Sequence, residues 1–297
     1  FVEKHRINVL NEISRQESNP FFNATAASSR DAALFGAAHP YGHGVYGSVE
    51  SNSSLSSLDL KHWFNHYFKA GNMALIVVGN FKVAQAKKLI ATYFETIPKG
   101  KKSRPHIAFE PMQPLGRIVP VPVQENYAFL FWPGTSLQST QSAAMLLLAF
   151  LMENRLAQLD TMLVKDGECL SSTQFYQHSG SFGVSATFKK IKDSSVIVNR
   201  LKMVVESFTK DAVSEMELQR VKKNMRLALQ TKLAKLGFTD SRSEMLGEGY
   251  VLTGDAGRYL KLYKQALTLV PKDIKAVAKY VLTREPHLQI CWSTAHE

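Results

Sequence analysis

The chain has 297 residues, of which 36 are basic and 25 are acidic, so its formal net charge is +11 at pH 7. Hydrophobic residues make up 45% and charged residues 21%, a composition that excludes an intrinsically disordered chain, and no apolar run approaches the roughly 20 residues that cross a bilayer. Two cysteines, Cys169 and Cys291, are too few for a disulfide framework or a thiolate metal site, and the length predicts two domains.

The N-terminal part of the chain reads as helices, a polar turn region and one strand. A helix is predicted from residue 2 to the turn at Asn19-Pro20, and a second helix begins at Ser57 with the apolar stripe Leu60, Trp63, Phe64, Tyr67 and Phe68. The apolar run 74–78 predicts a buried strand, and residues 83–94 return to helix. Because the chain starts Phe-Val-Glu-Lys-His without an initiator Met, we expect that further residues preceded Phe1.

A basic, proline-rich stretch predicts a linker between two units. It opens with Lys-Gly-Lys-Lys-Ser-Arg at 99–104, and prolines follow at 105, 111, 114, 120 and 122. Since proline lacks an N–H donor and has a fixed φ, such a stretch favours neither a helix nor an interior strand. We therefore divide the chain into a first unit (1–98), a linker (99–122) and a second unit (123–297).

The second unit is predicted to begin and end with strands that flank a helical block. A central strand is predicted at 127–132, a long helix at 141–163, an alternating strand at 181–189, helices over 193–280 and a closing strand at 288–292. An internal repeat relates the two units, because Asp59-Leu60-Lys61 with its helix and strand matches Asp273-Ile274-Lys275 at a constant offset of 214 residues. If the repeat is real, the first copy lacks its front half.

Two histidines at helical spacing suggest a zinc site but do not complete one. His62 and His66 share one face of the predicted helix, and an inverted zinc-protease motif would need Glu where Asn65 stands. Asn cannot accept a proton as a general base, and both histidines lie opposite the apolar stripe. We interpret them as exposed histidines on an amphipathic helix.

Other catalytic and binding classes have little support in the sequence. There is no phosphate-binding loop, no dinucleotide-binding glycine pattern and no serine nucleophile elbow. A nucleic-acid binder is left as a third hypothesis, because outside the linker the basic residues are dispersed rather than clustered. Glu12, on the flank of the first helix's apolar stripe, is either a solvated partner of Arg6 or Arg15 or a metal ligand.

Several motifs in a fixed order resemble the pitrilysin/insulinase family of zinc metallopeptidases. They cover about the first 95 residues and include Val9-Leu-Asn-Glu12-Ile13, His39-Pro-Tyr-Gly42, Gly47, Asn72-Met-Ala-Leu-Ile-Val-Val-Gly79 and Tyr93-Phe94. The second unit is similar to that family's second domain through its aromatic strand, its long helix and its closing helical block. The resemblance implies an α+β fold of two related units, each a mixed, mostly antiparallel sheet with helices on one face, which clasp a chamber.

The resemblance also implies where zinc would be bound. In that family a catalytic H-x-x-E-H motif lies N-terminal to everything seen in this chain, and the third zinc ligand corresponds to Glu12. His5 stands where a helpful second acidic residue is expected, and an Arg/Tyr pair that engages substrate is replaced by Val164 and by Ser171 or Ser172. Accordingly, we expect no catalytic residue in this chain, one candidate zinc ligand and no activity of the chain alone.

Two functional hypotheses follow from the resemblance. In the first, the chain is part of a zinc-dependent metalloendopeptidase, and the complete protein uses zinc. In the second, it is a non-catalytic half or partner subunit with a structural role, which the missing Arg/Tyr pair favours. Expected partners are a peptide or protein substrate and a partner subunit or second copy, with no nucleic acid and no transmembrane segment. The expected compartment is a bacterial periplasm or cytoplasm, without a choice between them.

Overall fold

The computed structural model describes residues 2–17, 27–36, 39–43, 45–101, 117–121, 126–163, 168–190 and 193–293. Within the first unit these residues form helices α1 (Val2–Glu17), α2 (Ala27–Phe35), α3 (Val49–Ser54), α4 (Ser57–Tyr67) and α5 (Val83–Phe94). The helices predicted at α1, α4 and α5 are confirmed. Helices α2 and α3 were not predicted, because short segments rich in serine carry no helical apolar stripe.

A capping box defines the start of α4, and an arginine of α1 contacts the C-terminal end of α3. The Ser56 hydroxyl accepts from the Asp59 backbone N–H at 3.2 Å, while the Asp59 carboxylate accepts from the Ser56 N–H at 2.8 Å, which is a capping box. Arg6 of α1 donates to the carbonyl oxygens of Asn52 and, at 2.7 Å, of Leu55. These carbonyls form the C-terminal end of α3, where the helix dipole favours a cation.

The His-Pro-Tyr-Gly motif forms a 3-10 turn, Pro40–Gly42. The Nδ1 atom of His39 accepts from the Tyr41 N–H at 3.0 Å and so caps the turn. A Cβ atom at Gly42 would overlap with the carbonyl oxygen of Gly36, so only glycine fits at this close approach of two backbone segments.

A five-stranded sheet organises the second unit, with the strand order β1-β5-β2-β4-β3. Its strands are β1 (Arg117–Val121), β2 (Asn126–Gly134), β3 (Cys169–Phe175), β4 (Gly180–Phe188) and β5 (His287–Ser293). Strands β1 and β5 pair in parallel and all other pairs are antiparallel, as the resemblance implies. The strands predicted at 127–132, 181–189 and 288–292 are confirmed.

Strand β1 lies inside the stretch that the prolines marked as a linker. It sits at one edge of the described sheet, the position in which Pro120 can be accommodated because an edge strand leaves half of its N–H groups unpaired. Residues 117–121 therefore form an edge strand within the stretch expected to be a linker, while residues 102–116 and 122–125 lie outside the described residues.

One face of the sheet is covered by helices. They are α6 (Ser142–Leu163), α7 (Ser194–Lys210), α8 (Glu215–Ala234), α9 (Arg242–Thr253), α10 (Arg258–Thr268) and α11 (Pro271–Leu282). Alternate residues of β2, namely Ala128, Leu130 and Trp132, are at most 1% exposed and pack into this main core. The long helix at 141–163 and the helical block at 193–280 are thus confirmed.

The other face of β2 carries a stacked aromatic row. Tyr127, Phe129 and Phe131 point away from the main core, with successive ring centroids 5.9 and 5.4 Å apart. Leu34 and Phe35 of α2 pack on this row together with Cys291. This contact joins the first unit to the second, and the Tyr176 hydroxyl adds a hydrogen bond to the Asp31 carboxylate at 3.2 Å.

The internal repeat extends over four helices. With the 214-residue offset, α1 falls on 216–231 within α8, α2 overlaps α9, α3 falls on 263–268 within α10, and α4 falls on 271–281 within α11. The caps correspond as well, because Asp273 accepts from the Val270 N–H at 2.9 Å as Asp59 does from Ser56. Four helices in the same order and spacing are not expected from a single chance match, so we infer an internal duplication.

The prediction of a buried strand at 74–78 is wrong. These residues lie in no strand, and Leu75 and Val77 are 56% and 46% exposed. Their counterparts, 288–292, belong to β5, which is paired on both sides. A strand needs a neighbour for its backbone N–H and C=O groups, and the described residues of the first unit offer none.

Candidate metal and substrate-binding residues

Glu12 lies on α1 in a polar cluster rather than in an open metal site. Its carboxylate forms an ion pair with Arg15 at 2.7 Å and accepts a hydrogen bond from the Gln16 amide at 2.7 Å. The hydrogen bond from Arg15 holds the pKa of Glu12 below its usual value, with further contributions from Gln16 and Tyr46. A metal ion at Glu12 would have to displace Arg15.

The surroundings of Glu12 do not supply co-ligands. His5, two turns earlier on α1, is exposed. Nowhere in the described ranges do three or more His, Cys, Asp or Glu side chains form a group that could hold a metal ion. A single carboxylate does not hold zinc in the tetrahedral geometry of protein sites, so the described residues do not fit zinc by themselves.

The histidine pair on α4 is exposed, as predicted. The rings of His62 and His66 are nearly parallel, with centroids 6.4 Å apart and an interplanar angle of 17°. Both lie on a helix that begins with the Ser56–Asp59 capping box and has no buried residue. Asn65 between them offers no general base, and the pair remains a surface feature in this structure.

The positions expected to replace a substrate-binding Arg/Tyr pair are only partly described. Val164 lies outside the described residues. Ser171 and Ser172 lie on β3, which is an edge strand of the described sheet; Ser171 is half-buried and Ser172 is exposed. Within the described part of the chain no hydrogen-bond partner reaches the buried Ser171 hydroxyl. Neither serine supplies the phenol group of a Tyr.

A polar cavity that sequence reasoning missed lies between β3, α9 and α10. It has a volume of about 300 Å³ and is lined by Glu248 and Tyr259, by the ion pair of Lys232 and Asp240 (2.6 Å), and by Tyr263. Burial raises the pKa of Glu248; the hydrogen bond from Tyr259 opposes this shift and the nearby Glu244 adds to it. No local motif marks this cavity, because its side chains come from positions far apart in the chain.

A half-buried arginine network was also not predicted from the sequence. Arg155 of α6 donates two hydrogen bonds to Glu217 of α8, at 2.8 and 2.9 Å, and one to the Ser207 hydroxyl at 2.6 Å. Its guanidinium lies 4.0 Å from the ring centroid of Phe208. Arg155 therefore joins α6 to α8 through a bidentate contact with Glu217, and to α7 through Ser207 and Phe208.

Comparison with known proteins places the chain in a family. The sequence pattern described as "Peptidase M16 inactive domain" matches residues 54–225, which is more than half of the chain. No curated protein matches the sequence. None of the helices in the described part is both long and apolar enough to cross a membrane.

Solved structures share the fold at low sequence identity. A protease from Helicobacter pylori has a TM-score of 0.83 at 17% identity, over 98% of this chain and 72% of that chain. A chain of complex III2 from Candida albicans also has a TM-score of 0.83, at 16% identity over 97% and 70% of the two chains. The peptidase M16 inactive domain from Pseudomonas fluorescens has a TM-score of 0.79 at 18% identity, over 98% and 69%.

These comparisons agree with the motifs. The similar structures show the same α+β fold, and the matched sequence pattern is that of a peptidase-related domain without catalytic function. The pitrilysin/insulinase-like resemblance is thereby confirmed at the level of family and fold. The chain belongs to the M16 peptidase family, and the pattern it matches is that of the family's inactive domain.

Proposed function

We propose that this chain is one part of a zinc-dependent metalloendopeptidase that cleaves peptides in a chamber between two units, and that the zinc-binding H-x-x-E-H motif is supplied by residues outside these 297. The proposed units are 1–98 and 123–297, joined by 99–122. When bound, zinc would supply Lewis-acid chemistry. The chain itself would contribute Glu12 as one candidate ligand.

The observation that carries this proposal is the uncovered apolar face of the first unit. Leu60 and Trp63 on α4 are 42% and 55% exposed, whereas their repeat counterparts on α11, Ile274 and Val277, are 0% and 2% exposed. In the second unit α11 packs against α6 and α7. This exposure supports the proposal that residues 1–98 are the C-terminal part of a unit whose N-terminal part would cover α4.

The charge and hydrogen bonding at Glu12 favour the second candidate, a non-catalytic half or partner subunit. An ion pair with Arg15 and the absence of co-ligands in the described ranges leave Glu12 a structural role on α1. The match to the inactive-domain pattern supports the same view. In this second candidate function, the chain would form a wall of the chamber, and zinc would be bound by another chain or by the other half of the protein.

Zinc titration tests the proposal. We expect isothermal titration of the chain to show no sub-micromolar zinc site, and a quenched fluorogenic peptide to remain uncut with or without zinc. The variants for comparison are Glu12→Gln and, as a control on a neighbouring helix, Glu50→Gln. A tight zinc site that Glu12→Gln removes and Glu50→Gln retains would show that this chain completes its own site, and would overturn the proposal.

A further inference from the structure

The helical layer of the second unit carries a large open groove on its outer side. The groove has a volume of about 740 Å³, within the range of ligand-binding clefts, and lies between α6, α7 and α8. These helices cover the face of the sheet opposite the aromatic row that contacts α2. The described lining residues of the groove include neither Glu12, nor a residue of β3, nor one of the aromatic row that contacts α2.

The floor of the groove holds an arginine whose charge is already neutralised. Arg155 lies there, held by Glu217 and Ser207 and stacked on Phe208. Its side chain is 18% exposed and that of Glu217 is 15% exposed. Glu217 is the one carboxylate among the described lining residues, and Arg155 occupies both of its oxygens.

The walls carry two further arginines that are exposed. Arg200 projects from α7 and Arg220 from α8, and in the described part of the chain no carboxylate pairs with either. The groove therefore has two cationic groups that are available to an incoming ligand. Arginine suits carboxylate ligands in particular, because its planar guanidinium can donate two parallel hydrogen bonds.

Methionines accompany these arginines. Met203 on α7 is 62% exposed and Met216 on α8 is 82% exposed. Exposed methionines are costly to hydrate and adapt their shape to apolar partners, and for this reason they are common on protein surfaces that bind varied peptides. The groove is thus lined by both cationic and apolar side chains.

We propose that this groove binds a segment of a partner protein in which carboxylates flank an apolar side chain. The two guanidinium groups pair with the carboxylates, and the methionines cover the apolar side chain between them. A nucleic acid fits less well, because the described lining residues include no aromatic ring on which bases could stack and only two unpaired cations. The inference needs neither zinc nor the proposed peptidase activity.

Fluorescence anisotropy with designed peptides tests the proposal on the full chain. The probe is a fluorescein-labelled peptide of glutamate and leucine residues, compared with one of glutamate and serine and with one of lysine and leucine. We expect the glutamate/leucine peptide to bind most tightly and to weaken with added salt. The double variant Arg200→Glu/Arg220→Glu should weaken it at least about tenfold, and Met203→Gln/Met216→Gln should weaken it several-fold.

A charge-matched control separates the groove from general attraction. Lys264 and Lys272 are exposed on α10 and α11, and Lys264→Glu/Lys272→Glu changes the net charge by the same amount. This control should change the affinity by less than about twofold. Equal weakening by both double variants, equal binding of the glutamate/serine peptide, or no binding of the glutamate/leucine peptide would overturn the proposal. Tighter binding of a single-stranded oligonucleotide, lost in Arg200→Glu/Arg220→Glu, would do so in favour of a nucleic acid.

Discussion

At the scale of single residues, Glu248 shows how the position of a carboxylate in the fold changes its pKa. It lies on α9 in a partly enclosed cavity, where the Tyr259 hydroxyl donates to it and Glu244 lies nearby. Burial penalises its charged form and so raises its pKa. In the folded state Glu248 therefore holds its proton at pH values at which the unfolded chain has released it.

The sign of the resulting pH effect follows from linkage. Between the usual carboxyl pKa of 4.5 and the raised pKa, the folded state binds more protons than the unfolded state, so Glu248 makes stability fall as pH rises through this window. We expect Glu248→Gln to remove that part of the decline. Thermal unfolding at a series of pH values from about 4 to 8 measures it. The exposed Glu285→Gln is the control, and an identical pH profile for Glu248→Gln and the parent chain would contradict the expectation.

At the scale of elements, α4 and α11 are equivalent helices of the internal repeat that lie in different environments. In the first turn of each helix, an aspartate accepts a hydrogen bond from the backbone N–H three residues earlier. Yet Ile274 of α11 is fully buried, and its counterpart Leu60 of α4 is 42% exposed. The local sequence thus specifies both helices, but among the described residues only α11 is covered by other helices.

This difference predicts unequal costs for matched substitutions. Ile274→Ala should lower the free energy of unfolding by about 2–5 kcal/mol, because it removes buried methyl groups and leaves a cavity. Leu60→Ala should cost about 0.5 kcal/mol, since its side chain already contacts water. Urea denaturation followed by circular dichroism compares the two variants with the parent chain. Equal costs would mean that the α4 face is covered in solution.

At the scale of the whole molecule, the exposed apolar surface is concentrated in the first unit. This surface belongs to α4, α5 and the segments next to them. The side chains of residues 57–97 that are at least 42% exposed are Leu58, Leu60, Trp63, Phe64, Phe68, Met73, Leu75, Val77, Phe81, Val83, Leu89, Tyr93, Phe94 and Ile97. Contiguous apolar patches of this kind mark interaction sites or association-prone surfaces. The second unit instead has a continuous core beneath its helices.

We therefore expect the chain by itself to bind a hydrophobic dye such as anilinonaphthalene sulfonate and to associate as its concentration rises. The double variant Trp63→Ser/Phe64→Ser should reduce both the dye fluorescence and the association seen by analytical ultracentrifugation. Val251→Ser, a similarly exposed apolar position on α9, should change neither. Equal reductions in both variants would argue against a localised apolar face on the first unit.

The amino-acid sequence by itself determined the fold class, the family and most of the elements. The helices at α1, α4, α5 and α6 and the strands β2 and β4 follow from hydrophobic periodicity and turn residues, which depend on neighbours only a few positions away. The exposure of His62 and His66 follows in the same way. Edge strand β1 was not predicted, because its pairing with β5 joins residues far apart in the chain. Strand β3 was also missed, although it pairs with the adjacent strand β4 across the short connection 176–179.

Only the tertiary structure decided which surfaces are buried and which charges meet. Residues 74–78 have the composition of a strand, but the described residues of the first unit offer no neighbouring strand, and Arg155 of α6 meets Glu217 of α8, 62 positions away in the chain. The groove with Arg200 and Met203 depends on α6, α7 and α8 coming together. Burial and electrostatic pairing arise from contacts between residues far apart in the chain, and a local pattern carries no information about those contacts.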